Sequence, residues 1–236
     1  IDYSDIYEYS YDYTSYSSTV TGYDAEGQIT SALQYVTMDT SELPVIYEIT
    51  GHGETSVTGE FADAVEKANM TLTELTLLSE EEIPDDAAAI IINGPTSDFS
   101  EDDVQKVIAY LENGGKAMIF STYEHQDLER FNTILSEYGV ERVAGIVMEN
   151  DGQRYYPGSP YYLLPDVSYS DYTSSVSGSY IFAPLCEGYT YPEESDDLTY
   201  TALLETSDSA VAKADAANVT TSQYEDGDTM GPLAVA

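Results

Sequence analysis

"VIYEITGHGET", residues 45–55, is the stretch from which the fold is read. Val45, Ile46, Tyr47, Ile49 and Thr50 are β-branched, aromatic or apolar, the composition a strand favours. The run stops at Gly51-His52-Gly53-Glu54, where two glycines permit a tight turn. Beyond it, Phe61, Val65 and Ala68 recur at helical spacing up to about Asn69, and "LTELTLL" supplies a second strand from Leu72 to Leu78. Strand, helix, strand is a βαβ unit, whose two strands run parallel in one sheet with a right-handed crossover.

The same alternation continues outward. "AAAIIINGP", residues 87–95, is apolar on both faces, as a central parallel strand covered by helices must be. Ser100, with Asp103 three residues on, caps a helix whose inward stripe is Val104, Val107, Ile108 and Leu111 and whose stop is Gly114-Gly115. "KAMIFST" (116–122) is a fourth strand, and a helix with Leu128, Phe131, Leu135 and Tyr138 inward ends at Gly139. "VERVAGIVME" (140–149) reads as the fifth strand, so the spacing predicts a doubly wound, mostly parallel α/β sheet.

The flanks differ in chemistry. In residues 1–23, Tyr7, Tyr9, Tyr11 and Tyr13 alternate with polar residues at the period of a strand, forming a tyrosine ribbon or a carbohydrate-stacking platform. "DAEGQITSALQYV" (24–36) predicts a helix with Ile29, Leu33 and Val36 on one inward stripe. After Asn150 the chain is rich in Tyr, Pro, Gly and Ser. There "SYIFAPLCEGYTY" and "LTYTALLETSDSAVAK" predict two further strands at a sheet edge, and "QYEDGDTMGP" an exposed acidic loop. The expected organisation is a Tyr-rich segment at 1–23, an α/β core at 24–150, and edge strands at 151–236 completing the same domain.

Seven Lys and Arg against 44 Asp and Glu give a formal net charge of -37, which repels nucleic acid and anionic lipid and suits a salt-screened, extracellular setting. With a single cysteine, Cys186, there is neither a disulfide framework nor a thiolate zinc site, and in "APLCEG" it reads as a small buried hydrophobe. No run reaches the roughly 20 apolar residues of a membrane helix. Both ends, including the closing "GPLAVA", read as cut from a longer chain.

Open parallel sheets bind ligands beyond the carboxyl ends of their strands. Three loops fall there, and the candidate ligand-binding residues are Gly51, His52, Gly53, Glu54, Asn93, Gly94, Ser121, Thr122 and His125. Both histidines of the chain are among them, and a histidine beside a carboxylate can move protons. A plain structural turn accounts for Gly-His-Gly equally well. The glycine pattern matches no phosphate-binding loop, and Ser121 lacks the flanking glycines of a nucleophile elbow, so no catalytic residue is assigned. The acidic runs at 80–82, 98–103, 193–197 and 225–228 lack calcium-loop spacing and read as solvated surface; no metal or cofactor is called for. As a loop residue taken to be exposed, His52 is expected to tolerate replacement by Ala.

The ordered blocks "DAEGQITSALQYV", "VIYEITGHGE", "IIINGPTSDFSEDDVQKVIAYLENGGKAMIF", "FNTILSEYGVERVAGIVMEND", "LLETSDSAVAK" and "GPLAVA" resemble the auxiliary proteins of ABC-type transport systems, the group that includes the gliding-motility-associated GldG-like proteins. The resemblance implies a non-catalytic extracytoplasmic domain, tethered through segments outside this sequence and working with an ABC permease and ATPase, with a small molecule or glycan as possible ligand. It also implies a sheet like those of flavodoxin and class I glutamine amidotransferases, without the elbow cysteine of the latter at Ser121 or Thr122. Two alternatives stand beside it: a hydrolase or amidotransferase-like enzyme using His52, Glu54 and Ser121 or His125, and a cell-surface glycan-binding module.

Overall fold

A computed structural model describes residues 6–12, 15–38 and 43–236; Tyr13 of the expected tyrosine ribbon lies outside them. The chain forms two compact units. The first takes in the described residues up to 51, then 55–93 and 110–118; the second takes in 52–54, 94–109 and 119–236.

The first unit begins with an antiparallel hairpin, β1 (Tyr7–Asp12) and β2 (Ser17–Tyr23), in which Tyr7 and Tyr23 meet edge to face at 5.2 Å. Helix α1 (Ala25–Thr37) follows where its pattern predicts, but its apolar stripe faces outward: Ile29, Leu33 and Val36 are 50%, 60% and 74% exposed. The helix is held by its opposite, small and polar face, where Ser31 Oγ donates to the Lys67 carbonyl at 2.6 Å and Asn69 Nδ2 donates to the Ser31 carbonyl at 3.1 Å. Amphipathicity made the helix without deciding which face would be covered.

The parallel sheet follows the expected alternation for four strands, ordered β4–β3–β5–β6, with β3 (Val45–Thr50), β4 (Thr71–Thr76), β5 (Ala87–Asn93) and β6 (Ala117–Phe120). β3 pairs in parallel with both β4 and β5. Ile90, Ile91 and Ile92 of β5 are at most 2% exposed, as a strand covered on both faces requires. Helix α2 (Glu60–Lys67) connects β3 to β4 and buries Val65. Helix α3 (Glu101–Glu112) buries Val104, Val107 and Ile108, and Ser100 caps it by accepting from the Asp103 N–H at 3.1 Å.

The second unit corrects the expectation of a fifth parallel strand. Residues 140–149 break into β7 (Glu141–Val143) and β8 (Ile146–Met148). The break is at Gly145, whose φ of +89° is a left-handed conformation and whose missing Cβ would strike the Lys213 carbonyl. β7 and β8 therefore leave in different small antiparallel sheets. β7 pairs with β13 (Gly188–Thr190), and β8 with β15 (Val211–Lys213). The two long C-terminal strands expected at a sheet edge are likewise short pieces. Besides β13 and β15 these are β12 (Ala183–Pro184), paired with β10 (Ser159–Leu163), whose other edge takes β9 (Tyr155–Tyr156), and β14 (Leu204–Glu205), paired with β11 (Asp166–Val167). Val143, Val147, Leu163, Ala210, Ala212 and Leu233 form the core that these pieces enclose. Helix α4 (Glu129–Ser136) buries Phe131 and Ile134, and Asp98 caps it from a distance by accepting from the N–H groups of Arg130 and Phe131 at 3.0 to 3.1 Å.

The acidic loop at 223–232 is anchored rather than free. The Lys213 ammonium, 3% exposed, donates to Glu225, Asp228 and the Gln223 carbonyl at 2.5 to 2.9 Å. Six of the seven Lys and Arg pair with carboxylates among the described residues: Lys67 with Asp24, Lys106 with Asp102 and Asp103, Arg130 with Asp98, Arg142 with Glu187, Arg154 with Asp151 and Asp166, and Lys213 with Glu225 and Asp228. No helix among the described residues is long and apolar enough to cross a membrane.

Candidate functional site

Within the second unit, His52, Gly53 and Glu54 belong to one cluster and Ser121, Thr122 and His125 to another. The first is built on His52, which is 7% exposed rather than on an open loop. Its Nδ1 lies 3.0 Å from Glu54 Oε1 and its Nε2 lies 3.2 Å from Asp103 Oδ2. The ring stacks on Phe99 at 3.8 Å, and Phe99 in turn packs on Phe131. Glu54 Oε2 accepts from the His52 N–H at 2.7 Å, closing the loop on itself. The His52 carbonyl accepts from the N–H groups of Thr96 and Ser97. Gly53 has a φ of +79° and lies against the Thr96 hydroxyl, so only glycine suits the position.

Burial alone would pull the His52 pKa down. The hydrogen bond and charge of Glu54, and then those of Asp103, outweigh it and leave the imidazole above its ordinary value. Burial pushes Asp103 the other way, yet bonds from Ser100 and His52 and the nearby Lys106 leave its carboxyl below the usual range. Both ring nitrogens are thus committed to carboxylates, and the expectation that His52 is exposed is corrected. The helix-cap pattern had singled out Asp103, but nothing local in the sequence pairs it with a histidine 51 positions away.

The second cluster surrounds Ser121, which follows β6. Its Oγ donates to Glu187 Oε1 and lies 2.9 Å from the Tyr189 hydroxyl. Glu187, 3% exposed, is held by the Arg142 guanidinium at 2.9 to 3.2 Å and by Gln126 Nε2 at 3.2 Å. Arg142 also donates to Asn132 Oδ1 and to the carbonyls of Thr122 and His125, fixing the backbone of the whole loop. Burial first, and the Glu187 charge second, push the Tyr189 phenol well up. Arg142, Glu187 and Tyr189 escaped the sequence reading because Arg142 lies in β7, Tyr189 in β13 and Glu187 just before it, all remote from Ser121 in the chain. Gln126 and Asn132 are close to the candidate loop but carry no pattern that marks them.

No hydrogen bond joins these two clusters, and none links an imidazole to Ser121, among the described residues. Nor do the candidate residues line either of two grooves in this unit. One, of about 610 Å³, is formed by residues 191–196 and 198–200. The other, of about 410 Å³, has an apolar floor of Ile146, Met148, Tyr161 and Leu185. Gly94 leaves the sheet with its N–H donated to the Phe120 carbonyl. In the first unit, Gly51 ends β3, and Asn93 and Thr55 exchange hydrogen bonds at 2.7 and 2.9 Å. Burial and the Glu187 charge push the Cys186 thiol up to about 11, which leaves it in the unreactive protonated form at neutral pH. Among the described residues no group of three or more His, Cys, Asp and Glu is placed to hold a metal ion.

A solved structure, the mmIFT52 N-terminal domain, is similar to this chain with a TM-score of 0.54 and 17% identity, covering 70% of this chain and 74% of that one. At that identity the likeness is one of fold. No curated protein matches. Residues 43–157 match the model of the family described as an ABC-type uncharacterized transport system, which supports kinship of that stretch with the ABC transport auxiliary proteins.

Proposed function

We propose that this chain is a non-catalytic extracytoplasmic accessory domain of an ABC transport system, acting by binding a protein or ligand rather than by chemistry. The observation that carries the reading is the family match over residues 43–157, which includes all nine candidate loop residues. The geometry is consistent with it. The imidazole at the end of β3 has both nitrogens engaged by carboxylates, and the hydroxyl after β6 faces a carboxylate already neutralised by Arg142, so neither is arranged as an activated nucleophile or its base.

The finer reading is a GldG-like domain whose strand order is similar to the core of flavodoxin-like and class I glutamine amidotransferase-like sheets. It would work outside the cell membrane, be anchored through segments beyond this sequence, and partner the permease and ATPase of its system. The tyrosine-bearing surfaces, such as Tyr16 at 80% and Tyr172 at 86% exposure, suit contact with a protein or a glycan. The test is to purify the tagged, full-length parent protein in mild detergent and identify what accompanies it. Stoichiometric permease and ATPase subunits are expected. A parent protein that purifies without either, while its deletion leaves transport unchanged, would overturn the assignment.

A further inference from the structure

The placement of two carboxylates on the two nitrogens of one buried imidazole has a consequence independent of the accessory role. A neutral imidazole has one N–H and can donate to only one of Glu54 and Asp103; the imidazolium donates to both. Each carboxylate also accepts from other donors, Glu54 from the His52 N–H and Asp103 from the Ser100 hydroxyl at 2.7 Å, so neither is free to supply the missing proton without losing a bond. Charge balance agrees. Glu54 and Asp103 face His52 from its own loop and from α3, and Lys106, 3.4 Å from Asp103, is the other cation of the group, its ammonium shared with Asp102. With the imidazole protonated, His52 and Lys106 face Glu54, Asp103 and the exposed Asp102, a sum of -1; without that proton the sum is -2, and the added negative charge falls on the buried Glu54 and Asp103. From the loop before α3, Asp98 is turned to the N–H groups of α4 and to Arg130, and Phe99 presents only its ring face, to which a cation is attracted.

We propose that His52 is a protonation-controlled clasp, closed as the imidazolium, that ties the Gly-His-Gly-Glu loop to the N-terminus of α3 and is released when the proton leaves to solvent as the pH rises. In the open loop the imidazole titrates near the ordinary 6.5, and in the closed loop it titrates higher. The clasp is therefore fully held below 6.5. Its opening constant rises about tenfold per pH unit from there up to the closed-state midpoint and levels off above it.

The test is an NMR titration of the whole domain, with His125→Asn assigning the two histidine signals, combined with hydrogen exchange at the His52 amide corrected for intrinsic base catalysis. The expected result is a His52 midpoint above 6.5, with excess exchange growing about tenfold per unit across the window. Glu54→Gln should lower the midpoint, and His52→Gln should flatten the exchange profile. A His52 midpoint at or below 6.5, or a corrected exchange rate constant across the window, overturns the proposal; both are read on the unmutated loop, so an unfolded variant does not rescue it.

Discussion

Replacing Arg142 with Met is expected to be among the most damaging single changes in the second unit. The guanidinium side chain is 4% exposed and its partner carboxylate 1% exposed, so the substitution leaves Glu187 as an uncompensated buried charge. Breaking a buried pair in this way costs about 3–5 kcal/mol. The Asn132 Oδ1 and the carbonyls of Thr122 and His125 also lose a donor each, which places the expected loss toward the upper end of that range. For a chain of this size that corresponds to a fall in Tm of roughly 10 °C or more. Urea unfolding followed by circular dichroism, with midpoint and slope fitted separately, gives the free energy. The double variant R142M/E187Q removes the stranded charge while keeping an acceptor for Ser121 and Tyr189, and should recover part of the loss. A loss under about 1 kcal/mol for R142M, or a double variant less stable than R142M, would refute the reasoning that the pair's cost lies in the stranded carboxylate.

Four further outcomes follow from the same geometry. His52→Ala should cost about 2–4 kcal/mol, because it strands two buried carboxylates, and thermal melts at pH 6 would show it. Gly145→Ala should cost at least about 3 kcal/mol by urea unfolding, since a left-handed φ and a backbone collision act together. Leu33→Ser, on the outward stripe of α1, should change stability by no more than about 0.5 kcal/mol in the same assay. Melting temperature should rise between low salt and about 0.5 M NaCl, because screening relieves the repulsion of a net -37 chain more than it weakens its buried pairs; a fall would show that the ion pairs dominate.

What could be read from the sequence was what short-range physics determines. The β5 isoleucines, the Ser100 cap and Val104, Val107 and Ile108 of α3 depend on neighbours within a few positions, and they stand where the pattern put them, while Leu111 of the same stripe is only partly buried. The errors share one cause, dependence on distant residues. Nothing near Gly145 announces that the Lys213 backbone will lie against it, so the run at 140–149 looked continuous. The α1 stripe gave a helix but not its orientation, which Ser31, Lys67 and Asn69 settle together. At the rim of the sheet, strand-end logic picked out His52 and Ser121. Their roles were hidden because Asp103 and Glu187 reach them from 51 and 66 residues away.

The engagement of six of the seven basic side chains in ion pairs bears on which molecules this protein can approach. With six of its seven cations matched among the described residues, the remaining carboxylates clothe the exterior in one sign of potential and gather a mobile sheath of counter-ions. Acidic macromolecules are turned away at a distance of about a Debye length, whereas a basic loop is drawn in and gains entropy by displacing that sheath. Recognition by this surface is therefore tuned by ionic strength before any contact is made.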